Sequence, residues 1–476
     1  MTKAKSDALS RRQFVEAGGI ASLGLLVAPE SEAKPQLMDQ SHIRPPYQTK
    51  MKLSPEEQAI LNGEKGATLQ KVMETLTRYG DIFGAVDFVP LDGPIHSVSS
   101  FALVYLEDMY GIVEELSLAG LKTQLPFTAN PKPTDYDNVQ MNFLEKVVFK
   151  RMFPRQKPYE FHLQKIGIRD AESYSCACYQ DEVGNIPTRG DIICWSESSA
   201  VSYANSVLGA RSNRNSGLID FFCGILGKSP RFGFLTHEGR MANVIVEINT
   251  KEKPDPWILG VALGNKVLDG TPYIKGLEHH LGTEITPEVK DYCKDMGAAA
   301  ASSGAIGLYH LNKLTPEALD HGESLIQKNA NTIIIDDAVL AETTASFVTQ
   351  WRQKESPPDI CILGCPHNSF TQLNSWANKI LKSLEQEGVE TASLRCFLTA
   401  PDPTHERFRT TYPEKYAELM ASGVEIGSPC ALMTAKNPLI SRKRIITNSS
   451  KLQHYSNASF APESVILQAL SKGVLS

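Results

Sequence analysis

Several features that would classify this chain at once are missing from it. Beyond its first 30 positions there is no run of about 20 apolar residues, so a membrane-spanning body is not expected. There is no concentrated basic block either. The 48 Lys and Arg are outnumbered by 54 Asp and Glu, for a formal net charge of -6. Nucleic acid is therefore not expected as a partner, because phosphate binding needs clustered cations. Cysteine is absent from the first 170 positions. The nine that follow are Cys176, Cys178, Cys194, Cys223, Cys293, Cys361, Cys365, Cys396 and Cys430, an odd total without the dense spacing of a disulfide scaffold. Free cysteine is by default a small buried hydrophobe. The composition, 42% apolar and 21% charged, excludes a disordered chain, and 476 residues exceed one ordinary core. Two or three domains are expected.

What is present is concentrated between Tyr174 and Arg214. Two cysteines one residue apart, Cys176 and Cys178, precede a Gly184-Asn185-Ile186-Pro187 turn and the apolar run Ile192-Ile193-Cys194-Trp195. Ser196-Glu197-Ser198-Ser199 then leads into a helix expected to end near Gly209, with Arg211, Asn213 and Arg214 just beyond. Open α/β sheets place ligands at strand ends and helix N-termini, and this pattern supplies both. Glu197 suits an acid, a base or an anchor, while Ser198 or Ser199 suits a helix cap or a substrate contact. Arg211, Asn213 and Arg214 suit a clamp on a carboxylate. Cys176 lies between an expected strand and a turn, where a thiolate can ligate iron or zinc.

Other stretches carry isolated candidates. Asp87 to Gly93 reads as a strand entering a turn before His96, and Leu125 to Pro131 is a loop holding Thr128 and Asn130. Ile360-Cys361-Ile362-Leu363 is an expected strand that delivers Cys365 and His367 into a sharp turn, with Asn368 or Ser369 opening the next helix. Cys361, inside that strand, is expected in the core. A second buried strand is expected at Ile333 to Ile335, and strands also at 231–234 and 242–246. Thr315-Pro316 opens a helix soon after His310. Ser54-Pro55-Glu56-Glu57 opens another, followed by helical periodicity over 67–78.

Three segments resemble the large, catalytic subunits of the aconitase X family: Ser175-Cys176-Ala177-Cys178-Tyr179, Glu197-Ser198-Ser199-Ala200 and the run Asn205 to Arg214. The likeness extends from about residue 51 to 460 and includes Met51 to Gly66, Gly364-Cys365-Pro366-His367 and Thr447 to Tyr455. It implies a three-layer α/β/α core with partly parallel sheets. It divides the chain into a leader or extension (1–50), interwoven α/β catalytic domains (51–345) and a C-terminal α/β domain that completes the site (346–476). It also implies an iron-sulfur cluster, 4Fe-4S or 2Fe-2S, held by Cys176, Cys365 and Cys430. With only three cysteine ligands, one iron stays open to act as a Lewis acid. The implied activity is hydro-lyase chemistry on a small hydroxy-acid, with cis-3-hydroxy-L-proline and phosphorylated mevalonate among the family's substrates. His96, Glu197 and His367 are the catalytic candidates. Thr128, Asn130, Ser198, Ser199, Arg211, Asn213, Arg214, His310, Ser449 and Lys451 are the substrate-binding ones. A separate small subunit carrying a swivelling domain is the implied partner.

Two departures stand out. Cys178 occupies a place usually held by proline, and Ser428-Pro429-Cys430 replaces the family's Asp-Thr-Cys. Two other readings of the cysteines are a zinc-dependent hydrolase or lyase and a metal-free scaffold subunit. In the leader, Ser10-Arg11-Arg12-Gln13-Phe14-Val15, an apolar patch and Ser31-Glu32-Ala33 resemble a twin-arginine export signal. Export would make the protein periplasmic; translation from Met51 would leave it cytoplasmic.

Overall fold

A computed structural model of the chain describes residues 47–476 apart from 104–106, 137, 140–142, 348–356 and 475–476. The arginine pair and apolar patch of the leader lie outside the described residues, and the division expected at residue 346 falls beside another such stretch. The architecture is multidomain α/β, with mostly parallel sheets flanked by helices. Among the described residues no helix is long and apolar enough to cross a membrane.

The first sheet region is built from short, fully buried strands. Ile95–Ser97 pairs in parallel with Phe127–Ala129, which sets His96 opposite Thr128. Single parallel bridges extend this pair, from Trp195 to His96 on one side and from Tyr174 to Ala129 on the other. The chain therefore leaves the same edge at Ser175-Cys176 and at Ser196-Glu197. Phe88–Pro90 pairs antiparallel with Lys228–Pro230 nearby. The strand expected at 231–234 is thus displaced: pairing ends at Pro230, and Gly233–Leu235 forms a 3-10 turn.

The second sheet is parallel, in the order 310–311, 272–275, 242–249, 326–336. Val244, Val246 and Ile248 of Ala242–Asn249 face the core. Helices Pro256–Val267 and Pro287–Ser303 supply Leu259, Leu263, Met296 and Ala300 to the same cluster. These helices come together because Gly260 and Gly264 present no side chain. A methyl group at Gly260 would lie 2.4 Å from the Ala299 methyl and from the Met296 carbonyl.

The third sheet has five parallel strands in the order 424–427, 395–399, 360–363, 445–447, 459–460. Ile360–Leu363 is fully buried at its centre, and Cys361 pairs in register with Cys396 inside the apolar core. As parallel strands all point one way, their carboxyl ends share one edge. Cys365 and His367 follow the strand ending at Leu363; Ser428 to Cys430 follow Gly427; Ser449 and Lys451 follow Thr447.

Candidate active site

Glu197 stands at the centre of the convergence. Its side chain caps helix Ser198–Tyr203, with Oε2 accepting a 2.7 Å hydrogen bond from the Ala200 N–H. The capping role expected of Ser198 or Ser199 thus falls to the acid one residue earlier. Ser199 Oγ instead donates to Glu197 Oε2, and Lys451 Nζ donates to Glu197 Oε1 and, at 3.1 Å, to Ser199 Oγ. Glu197 and Lys451 are 6% and 8% exposed, so this ion pair is almost wholly withdrawn from water. Burial pushes Glu197 up, but the Lys451 charge and the hydrogen bonds from Lys451, Ser199 and Ala200 outweigh it and hold the carboxyl below its usual range. Burial pulls Lys451 down; Glu197 and the thiols Cys365 and Cys176 more than reverse this, leaving it raised.

None of the nine cysteines is paired in a disulfide. Six are buried, and the three that keep accessible surface are Cys176, Cys365 and Cys430. All three are raised by burial, Cys365 to about 12, and each is affected by the same two charges: Glu197 raises it and Lys451 lowers it. Cys176 and Cys365 also feel one another, as do Cys365 and Cys430. Glu197 and Lys451 therefore lie within electrostatic reach of all three thiols. A nearby cation favours the deprotonated sulfur that metal binding requires.

His367 fastens the three cysteine-bearing segments together. It sits two residues after Cys365, its backbone N–H donates to Cys176 Sγ at 3.3 Å, and its ring bridges the other two loops. Nδ1 lies 3.2 Å from Ser175 Oγ, beside Cys176, and Nε2 lies 3.3 Å from the Pro429 carbonyl, beside Cys430. The carbonyl can only accept, so the fitting tautomer has Nε2–H donating to Pro429 and Nδ1 accepting from Ser175. Burial lowers the ring's pKa to about 4, keeping it neutral. Lys294 and Gln180 steady the loop further by donating to the His367 carbonyl at 3.0 and 3.2 Å. A cavity of about 230 Å³ lies behind this loop, lined by Gln180, Asp291, Lys294, Ser369, Phe370 and Arg407, and none of the three thiols lines it.

His96 forms a second buried network with the other two early candidates. Its Nδ1 is 2.8 Å from Thr128 Oγ1 and its Nε2 is 3.1 Å from Asn130 Oδ1. Burial lowers this ring too to about 4, and the Glu197 charge pulls it back up, which places the network beside the ion pair. Asn185 donates to Thr128 Oγ1 at 2.8 Å and to the Ile95 carbonyl. Cys178 is buried against Asn185 and Thr128.

The remaining candidates group differently. Ser449 caps helix Ser450–Tyr455 and donates to the Cys365 carbonyl at 2.5 Å, which ties the Lys451 loop to the Cys365 loop. Ser198 is half-buried in the first helical turn. Asn213 uses its amide on the Phe234 N–H and the Phe232 carbonyl. Arg214 is exposed and lies against Gly307. Arg211 lies near Glu317 and Arg240, which form a buried ion pair, and His310 is bound to the Arg240 carbonyl at 2.9 Å. No hydrogen bond or ion pair among the described residues joins Arg211, Asn213 or His310 to Glu197, Lys451 or the thiols.

Sequence reading passed over several residues that shape the site. Asn185 sat in a turn that looked only like a turn. Lys132 accepts the Cys430 N–H through its carbonyl, and Asp135 accepts the Ser428 N–H, so loop 130–135 supports the third cysteine. Lys294 did leave a signal: a Lys-Asp pair inside an alanine-rich helix has no place on a buried face unless it is partnered.

Among the described residues, one set of three Cys, His, Asp or Glu side chains has its ligand atoms all within 4.8 Å of one another: Cys194, Asp220 and Cys223. These are donor types that a metal can take. The expected ligands Cys176, Cys365 and Cys430 do not meet this distance as a set.

Known proteins resemble this chain along most of its length. The profile of the aconitase X first domain matches residues 50–238, and that of the aconitase X second domain matches residues 242–345. The chain belongs to the aconitase X family. Among its relatives, the phosphomevalonate dehydratase large subunit of Thermococcus kodakarensis is 35% identical over 335 residues, covering 69% of this chain and 76% of that protein. The cis-3-hydroxy-L-proline dehydratase of Hypocrea jecorina is 27% identical over 296 residues, covering 60% and 46%. The crystal structure of Thermococcus kodakaraensis aconitase X in its holo-form superposes with a TM-score of 0.71 at 27% identity, covering 89% of this chain and all of that one. In this aconitase X protein, the matched domains contribute Cys176, Glu197 and the His96 network. Cys365, His367, Cys430 and Lys451 come from the sheet that follows them.

Proposed function

We propose that this chain is the large, catalytic subunit of an iron-sulfur hydro-lyase that dehydrates a small hydroxy-carboxylate. Homology to dehydratases supports an activity of this type. One observation supports the cofactor: of nine free cysteines, the three that stay accessible all feel the charges of a single buried Glu197–Lys451 pair. The donor set suits an iron-sulfur cluster, four-iron or two-iron, because it offers three thiolates from three loops with a cation nearby. When bound, such a cluster with one iron not held by cysteine supplies Lewis acidity toward a leaving hydroxyl.

The residues have separable tasks in this reading. Glu197, kept ionised by Lys451, is the carboxylate available to accept a proton, and Ser199 fixes its orientation. Lys451 offers positive charge to the carboxylate of a substrate. His96 holds Thr128 and Asn130 in place at the strand ends, where their polar groups orient the substrate. His367 keeps the cysteine loops in register, and Ser449 does the same for the loop bearing Lys451. Ser198, Arg211 and Arg214, which keep accessible surface, are assigned to substrate contact, whereas Asn213 and His310, buried and already hydrogen-bonded, are assigned to holding that region in place. A small subunit carrying the swivelling domain completes the site.

The test is anaerobic co-expression with a small partner subunit, followed by iron and sulfide analysis and an assay for water loss. The substrates tried first are phosphorylated mevalonate and cis-3-hydroxy-L-proline. Iron with matching sulfide, lost together in Cys176→Ala, Cys365→Ala and Cys430→Ala, supports the reading. Iron-free protein under these conditions overturns it, and full activity of the isolated chain overturns the two-subunit division.

A further inference from the structure

A second cluster of donors lies in the core of the first domain, apart from the accessible thiols. Asp220 and Cys223 stand three residues apart in helix Gly217–Leu226, a spacing that puts both on one face. Cys194 approaches from the extended segment before Trp195, and Ser229 from strand Lys228–Pro230. Their exposures are 0%, 0%, 1% and 1%. Cys194 Sγ, Cys223 Sγ and a carboxylate oxygen of Asp220 lie within 4.8 Å of one another, and the Cys194 sulfur also lies against Ser229.

The hydrogen bonding of this cluster is one-sided. Asp220 Oδ1 accepts from Asn215 Nδ2 at 2.7 Å, and Asn215 Oδ1 is held by the Tyr79 hydroxyl at 2.8 Å. Asp220 Oδ2 and Ser229 Oγ, both buried, have no nitrogen or oxygen partner, and what Asp220 and Ser229 share as a neighbour is the Cys194 thiol. A carboxylate oriented from behind by an amide, with its other oxygen directed at two thiols, has the arrangement of an outer partner that aims a metal ligand. Buried polar atoms without partners call for an explanation of this kind.

We propose that Cys194, Cys223 and Asp220 bind one thiophilic divalent cation, zinc, with Ser229 Oγ as the fourth donor. Two sulfurs exclude magnesium and calcium, which prefer all-oxygen sites. Bond lengths of about 2.3 Å to sulfur and about 2.0 to 2.2 Å to oxygen put the ligands of a tetrahedral zinc roughly 3.3 to 3.8 Å apart, inside the observed limit. The cation offsets two of the three negative charges that the thiolates and the carboxylate carry. Its role is structural, because no side of the cluster meets solvent. It joins the segment that leads to Glu197 to the helix and strand behind it. This inference does not depend on the proposed function, since it uses none of Cys176, Cys365 or Cys430.

The experiment measures zinc and iron in full-length protein purified without chelator, with cobalt as a spectroscopic substitute. About one zinc per chain is expected, together with a thiolate-to-cobalt charge-transfer band in the cobalt form. Cys176→Ala should keep this zinc, whereas Cys223→Ser and Asp220→Asn should lose it. If those variants fail to fold, Asn215→Ala leaves every donor in place and should weaken retention against a chelator by roughly 10- to 100-fold. Folded wild-type protein that takes up neither zinc nor cobalt overturns the proposal, as does a Cys194–Cys223 disulfide, zinc retained by Cys223→Ser, or unchanged retention in Asn215→Ala.

Discussion

Replacing Lys451 by methionine leaves Glu197 buried without its cation. Lys451 supplies hydrogen bonds to Glu197 Oε1 and to Ser199 Oγ, and the ion pair is nearly closed to water. Removing one member of such a pair costs about 3 to 5 kcal/mol, because the remaining charge must stay desolvated or take up a proton. The cost should depend on pH in a definite direction. In the wild type the folded Glu197 pKa lies below its unfolded value, so its stabilisation is present above the unfolded pKa and is lost as pH falls through the folded one. In Lys451→Met burial is opposed only by the hydrogen bonds from Ser199 and Ala200 and the folded pKa rises, so that variant gains relative stability as pH falls. The gap between the two proteins should therefore be largest near neutral pH and should close toward pH 4. Urea unfolding of the metal-free chain at several pH values measures it. The double variant Glu197→Gln, Lys451→Met needs no cation and should recover most of the loss. A Lys451→Met protein within about 1 kcal/mol of wild type at pH 7, or a gap that widens in acid, would refute the reasoning.

Three further outcomes follow from the same geometry. On the proposed iron-sulfur reading, His367→Ala should retain the three thiols yet lose iron faster on exposure to air or chelator, while Cys361→Ala, altered only in the core, should not; iron release rates check this. Ser449→Ala removes both a helix cap and the tie to the Cys365 carbonyl and should cost about 1 to 2 kcal/mol in urea unfolding. Gly260→Ala drives a methyl group into Ala299 and Met296 and should destabilise by about 1 to 3 kcal/mol, although alanine is otherwise the better helix former.

The fold was legible wherever pattern and punctuation agreed. Ser54-Pro55-Glu56-Glu57 forms a capping box in which Ser54 and Glu57 exchange hydrogen bonds. The helix after Ser199 ends at Gly209, which takes the left-handed conformation, and Ile333 to Ile335 lie in a strand that ends in carboxylates, although the strand is not the buried one expected: Ile335 is buried and Ile334 is exposed. Regions of mixed polarity were harder. Phe161-His162-Leu163 carries no clean apolar period and lies in helix Gln156–Ile166, because Tyr159, Leu163 and Ile166 bury one face while Phe161 is left outside. The strand placed at 231–234 slipped because its apolar residues, Phe232 and Phe234, flank a glycine that turns the chain.

Contacts between remote loops are what sequence periodicity cannot express, and the site consists of them. His367 carries an imidazole, which suggests proton transfer to anyone reading the sequence. In the fold its ring nitrogens face Ser175 and Pro429, residues 192 and 62 positions away, and the ring stays neutral because water is excluded. Glu197 carries the same ambiguity in the opposite direction. A glutamate before a helix reads as a poor substitute for a serine cap, yet here it caps the helix and binds a lysine 254 positions distant. The physical difference between the two lies in what each partner can do. A backbone carbonyl and a hydroxyl satisfy His367 without charge, so substituting it should alter how firmly the loops are held. Lys451 leaves Glu197 charged in a nearly dry cleft beside three accessible thiols, so substituting Glu197 should alter chemistry first. On the proposed iron-sulfur reading, iron retention and turnover, measured side by side on His367→Ala and Glu197→Gln, should therefore separate: the first loses iron, and the second keeps iron and loses turnover.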